Sequence, residues 1–170
     1  VKLIVFYKDY ITTTHNDKNI LDRWILSRLD EVVKNVTDSF ERFDSYHAVR
    51  GLEGFIDDLS NWYIRRSRKD INKEVLGEVL VKFSQLIAPV TPFIAEEVYK
   101  AITKEESVHL SEWPSSGKVD EALNKEMAVA REVSAEALGQ RASAGIKARQ
   151  PLQSLEIHNF QFSKEILEII

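Results

Sequence analysis

The chain has 170 residues, 44% of them apolar and 29% charged, with no cysteine and a formal net charge of −4. That length buries roughly two-thirds of the unfolded surface, so one core can hold by packing alone; disulfides and thiolate metal sites are excluded, and no apolar run approaches the ~20 residues of a membrane span. The acidic balance also excludes bulk attraction to nucleic acid, so any polyanion has to be met by a local patch.

The opening VKLIVFYKDY has too short an apolar patch for a signal peptide, and the chain has no initiator Met, so it reads as a piece of a longer protein. Leu3, Phe6, Tyr7 and Tyr10 fall at helical spacing, and a lone strand would lack a partner, which favours a helix over residues 1–11. Leu21, Trp24, Ile25, Leu29, Val32, Val36, Phe40 and Phe43 then recur in steps of three and four, one stripe along a long helix, with Asn19 as its cap and Asp22 in its first turn. Asp44-Ser45 breaks the pattern and starts a second stripe, Ala48, Leu52, Phe55, Ile56, Leu59, Trp62 and Tyr63. So short a connection makes the two helices antiparallel neighbours.

A third helix runs from about Asn72 through Leu76, Val79, Leu80, Phe83 and Leu86 to Ile87, ending where Pro89 removes a donor. Thr91 and Pro92 read as cap and first position of a fourth, with Phe93, Ile94, Val98 and Ile102 expected inward. Val108-His109-Leu110 looks extended and Trp113-Pro114-Ser115-Ser116-Gly117 carries turn chemistry. A fifth helix starts near Asp120, places Leu123, Met127, Ala130, Val133 and Ala137 on one face, and ends near Gly139 or Gly145. Beyond Pro151, Leu155-Glu156-Ile157 suggests a strand and Glu165 to Ile170 a new helix. The fold class expected is an all-α antiparallel bundle with a truncated α/β stub at its C-terminal end.

Catalytic chemistry finds little support. The four histidines are scattered, and the one Glu-x-x-His spacing, Glu106 to His109, falls in a link and lacks the second copy that a di-metal bundle needs. Neither a Gly-rich phosphate loop nor a nucleophile motif is present, so no catalytic or metal-binding residue is expected. The contrast lies in LSNWYIRRSRKD, where Arg65, Arg66, Arg68 and Lys69 gather at one helix end. In an antiparallel pair the start of the first helix lies beside that end, adding Arg23, Arg28, Trp24 and Trp62. Cations attract phosphates and flat rings stack on unpaired bases, the usual equipment for loop RNA. The competing reading has both tryptophans in the core and the arginines paired with Asp22, Asp57 or Asp58. A second basic set, Arg141, Lys147 and Arg149, fits either RNA backbone or an inter-domain contact. A helical interaction bundle with a Trp and Arg hot spot is the rival from another class.

LDRWILSRLDEVV, FIDDLSNWYIRRSR, FSQLIAPVTPFIAEEVY, SVHLSEWP and GIKARQPL, in this order, resemble the anticodon-binding region of the isoleucyl-tRNA synthetases, class I enzymes, across Leu21 to Leu152. Leucyl, valyl and methionyl relatives share the APxxPFxAEE-like block, so the valyl or another class I enzyme is the nearest alternative. NWYIRRSR with GIKARQPL points to the isoleucine enzyme. The resemblance implies a bundle that grips the anticodon stem-loop of isoleucine tRNA, with base readout around Arg23, Trp24 and Arg28 and around Trp62 through Lys69. It implies residues 1–18 as the connection from a catalytic domain of the same chain, 19–145 as the binding domain and 146–170 as the start of a further subdomain. The family's adenylation motifs are absent from these residues, so ATP and Mg would belong to the catalytic domain of the parent ligase, and zinc to its C-terminal region. A cytoplasmic, non-membrane protein is expected.

Overall fold

The computed structural model describes residue 7 and residues 18–147, 149–158 and 160–169. Apart from Tyr7, the helix expected over residues 1–11 lies outside them. Seven α-helices are described, α1 Ile20–Glu41, α2 Ser45–Asp57, α3 Ile64–Ser67, α4 Lys73–Ile87, α5 Pro92–Ile102, α6 Glu121–Ser143 and α7 Lys164–Leu167; a π-helical segment, Asp58–Tyr63, joins α2 to α3, and a 3-10 turn covers Val108–Leu110. Strands are absent among the described residues. They fall into two compact units, one ending at Val119 and one starting at Asp120.

Capping explains where the helices begin. Asn19 accepts the Asp22 N–H at 2.9 Å while the Asp22 carboxylate accepts the Asn19 N–H at 3.2 Å, a reciprocal capping box that satisfies two orphan donors of α1. Asp44 caps α2 through the His47 N–H, Asn72 caps α4, and Asp120 caps α6 through the Leu123 N–H. The α1 end is a Schellman motif: the Asp44 N–H reaches the Ser39 carbonyl at 2.8 Å and the Phe43 N–H the Phe40 carbonyl at 3.0 Å. Phe43 occupies the left-handed position, φ 58°, that glycine ordinarily takes. Its ring is 94% exposed.

The first unit's core is a helical layer built on α1. Trp24, Ile25, Leu29, Val32, Val33 and Val36 meet Ala48, Leu52, Phe55 and Leu59 of the antiparallel partner, and Leu76, Val79, Leu80 and Phe83 of α4 close the far side. Phe55 and Phe83 stack with ring centroids 5.0 Å apart. The segment after the 3-10 turn crosses back over α1, where Trp113 Nε1 donates to Thr37 Oγ1 at 2.8 Å and Ser116 Oγ to the Asp30 carbonyl at 2.9 Å. Gly117 leaves room there for the Asp30 carboxylate, which a Cβ would meet at 2.6 Å from Oδ2 and force to shift.

Three local expectations are corrected. In α5 the buried residues are Ala95 and Tyr99, whereas Phe93 and Ile94 point outward: packing against α4 selects the face. Val108–Leu110 is a 3-10 turn, because Glu96 Oε2 accepts both the Ser107 hydroxyl and the Val108 N–H at 2.9 Å and coils the backbone around itself. The α/β stub shows no strand at Leu155-Glu156-Ile157, only the single turn α7, because no second strand is available to pair with. In the second unit Leu123, Met127, Ala130 and Ser134 are the buried residues of α6, which closes on Gly145, φ 69°, in a glycine-type Schellman end.

Candidate nucleic-acid interface

Two side-chain pairs set the register between α1 and the continuation of α2. Arg28 Nε donates to Asp58 Oδ2 at 2.8 Å, and the Tyr63 hydroxyl donates to Asp22 Oδ1 at 2.6 Å. Residue numbers fall along α1 as they rise along its partner, so the stretch of helix beyond Tyr63 comes level with Asn19 and the start of α1. Arg23 therefore shares an end with Arg65, Arg66, Arg68 and Lys69. All five side chains are solvent-exposed. The basic end is a property of the hairpin and not of one helix.

The π-helical segment decides which residues face inward at that end. Asp58, Leu59, Trp62 and Tyr63 are its buried residues, so the widened turn carries the inward face of the hairpin at this end. Burial and the Asp22 carboxylate both push the Tyr63 phenol far above its ordinary range, so it remains a donor. Asp58 is buried and receives the Arg28 guanidinium, which also reaches Glu31 at 2.9 Å.

Among the expected contact residues, four behave differently. Trp24 is 1% exposed and belongs to the core, where a ring of its size contributes most of its worth. Trp62 is 8% exposed and covered by Arg66, whose Cζ lies 3.9 Å from the ring centroid. Neither indole offers a face to a base, and an exposed tryptophan hot spot is likewise excluded at both positions. Arg28 is held by two carboxylates. In the second unit, the Arg141 Nη2 donates to the carbonyls of Lys147, at 2.6 Å, and Gln150, stitching the helix exit to the loop that follows; Lys147 and Arg149 are exposed.

Arg66 itself is shifted: desolvation, then the neighbouring Arg65 charge, lowers its pKa from the arginine value. The structural partners Tyr63, Asp22 and Asp58 were partly concealed in the sequence. Asp22 read as a helix-dipole residue, and Tyr63 as one more apolar position; the signal available was that Asp22 and Asp58 fall among the apolar positions of their stripes, beside Leu21 and Leu59.

The chain belongs to a family of helical modules found in tRNA ligases. Residues 22–157 match the family described as the anticodon-binding domain of tRNA ligase. Its relatives are isoleucine–tRNA ligases: that of Deinococcus radiodurans is 41% identical over 150 residues, that of Thermobifida fusca 41% over 152, and that of Methanopyrus kandleri 40% over 152. These alignments cover 81%, 80% and 79% of this chain and 14% of each relative. The chain thus spans about 14% of the length of the curated relatives it matches.

Proposed function

We propose that the chain is the anticodon-binding module of an isoleucine–tRNA ligase, which binds and positions the anticodon stem-loop of isoleucine tRNA for ATP-dependent isoleucylation by a catalytic domain of the same enzyme in the cytoplasm. Support comes above all from the exposed row Arg65, Arg66, Arg68 and Lys69 on a chain of the anticodon-binding family. These cations, with Arg23, neutralise backbone phosphates and hold the loop in register, while readout of unpaired bases gives selectivity. Arg28 contributes by placing the π-helical segment through Asp58, and Trp24 by filling the core beneath it. Residues 19–145 form the binding domain and 146–170 open a further subdomain; the family match, residues 22–157, extends past that boundary. ATP with Mg serves the catalytic domain, and the zinc implied by the family belongs to the enzyme's C-terminal region.

The test is a salt titration of stem-loop binding. Arg65→Ala with Arg68→Ala should weaken binding and lower the slope of log K against log salt by about 0.7 for each single-stranded phosphate that is no longer neutralised. Equal affinity and slope for wild type and double variant refutes the assignment.

A further inference from the structure

At the basic end, the flat surface offered to solvent is a guanidinium and not an indole. Arg66 sits one turn after Trp62, and its Cζ lies over the ring, 3.9 Å from the centroid, a close cation–π contact. Trp62 is left 8% exposed, while Arg66 is solvent-exposed. We propose that the outer face of the Arg66 guanidinium, held against the Trp62 indole, is the stacking platform for one unpaired base of the bound loop. The proposal rests on the anticodon-binding reading above and specifies how that site recognises a base.

The physics favours this side chain over its neighbours. A guanidinium is planar, weakly hydrated and stacks on nucleobases as it does on aromatic rings. An arginine that sways in water loses much rotamer freedom when it is pinned under a base. Arg66 has already lost it, because the indole holds it before any RNA arrives, so less is lost on binding. The indole is in turn fixed from behind: the adjacent Tyr63 is anchored to Asp22, and both Trp62 and Tyr63 belong to the π-helical segment. Arg65, Arg68 and Lys69 flank the platform with charge for the phosphates on either side of the stacked nucleotide. Lysine at position 66 would keep the charge and lose the plane.

The test uses the 170-residue chain and a synthetic anticodon stem-loop, together with a set of the same RNA carrying one abasic site at each loop position in turn, read by fluorescence anisotropy. Arg66→Lys is expected to bind the intact RNA about tenfold more weakly at an unchanged salt slope. On one abasic RNA the difference between wild type and Arg66→Lys should vanish. Comparing intact with abasic RNA on the same variant cancels any general loss of folded protein. Equal binding of wild type and Arg66→Lys overturns the proposal, as does the same loss on every abasic RNA. Wild-type affinity in Arg66→Ala also overturns it, since the uncovered indole would then be the platform. If the wild-type chain fails to bind the stem-loop, the anticodon reading itself falls, an outcome distinct from these.

Discussion

Replacing Tyr63 by Phe isolates one hydrogen bond in a site that water does not reach. The hydroxyl donates to Asp22 Oδ1 at 2.6 Å, and both residues are 0% exposed, so the abandoned carboxylate oxygen recovers no partner from solvent. A hydrogen bond to a charged group is worth about 1.5–3 kcal/mol, and burial places this one toward the upper end. For a unit of this size about 2.5 kcal/mol corresponds to a fall in Tm of roughly 8 °C. Thermal unfolding of the whole chain followed by circular dichroism reads it directly. The pH dependence adds an independent check. The folded phenol titrates far above its ordinary value of about 10, so the unfolded state releases its proton first as pH rises, and the stability present below pH ~10 is lost above it. Wild type should lose stability over that range more steeply than Tyr63→Phe. A variant that melts within about 2 °C of wild type, with the same alkaline slope, would refute the claim that this bond fixes the hairpin end.

Glu96 is the corresponding acid-side test. Its carboxyl is held down to about 2 by the Lys100 ammonium first, then by the Val108 N–H and the Ser107 hydroxyl, so its contribution is full above the ordinary carboxylate range and is lost as pH falls from about 4.5 toward 2. Glu96→Gln should therefore flatten the fall of Tm across that window while lowering Tm at pH 7; parallel profiles for the two proteins would contradict it. Phe43→Gly should be stabilising. Left-handed backbone costs an L-residue about 1–2 kcal/mol, glycine returns part of that as unfolded-state entropy, and a ring 94% exposed forfeits no packing, so a net gain of about 0.5–1 kcal/mol is expected as a higher urea midpoint. A lower midpoint would mean that the ring is sheltered.

Four helices were legible because they carry their own punctuation. Asn19, Asp44, Asn72 and Asp120 all cap helices in the structure, and the two-residue break at Asp44-Ser45 sets the antiparallel pairing on which the basic end depends. Less legible were features settled by neighbours. Spacing alone cannot separate a π-helical turn from an α-helix when apolar residues sit at Leu59, Trp62 and Tyr63 alike, since steps of three and four fit both. The face of α5 was misassigned because the larger apolar residues, Phe93 and Ile94, drew the inward choice, whereas Ala95 and Tyr99 fit against α4. At the candidate interface the cations were readable as a cluster; the indoles were not readable as buried, because a tryptophan beside arginines looks the same in sequence whether its ring supports them or faces the solvent.

The widened turn at Asp58–Tyr63 gives residue count in this stretch a latitude that an α-helix lacks. A π-turn holds one residue more than an α-turn, so losing one amino acid between positions 58 and 63 would let the backbone close into α geometry with the helix beyond keeping its heading, whereas the same loss within α2 would turn all that follows by about 100°. Only in the second case would Arg65 to Lys69 address a different quarter of space. Lineages carrying this module are thus expected to tolerate a gap of one here more readily than in α2.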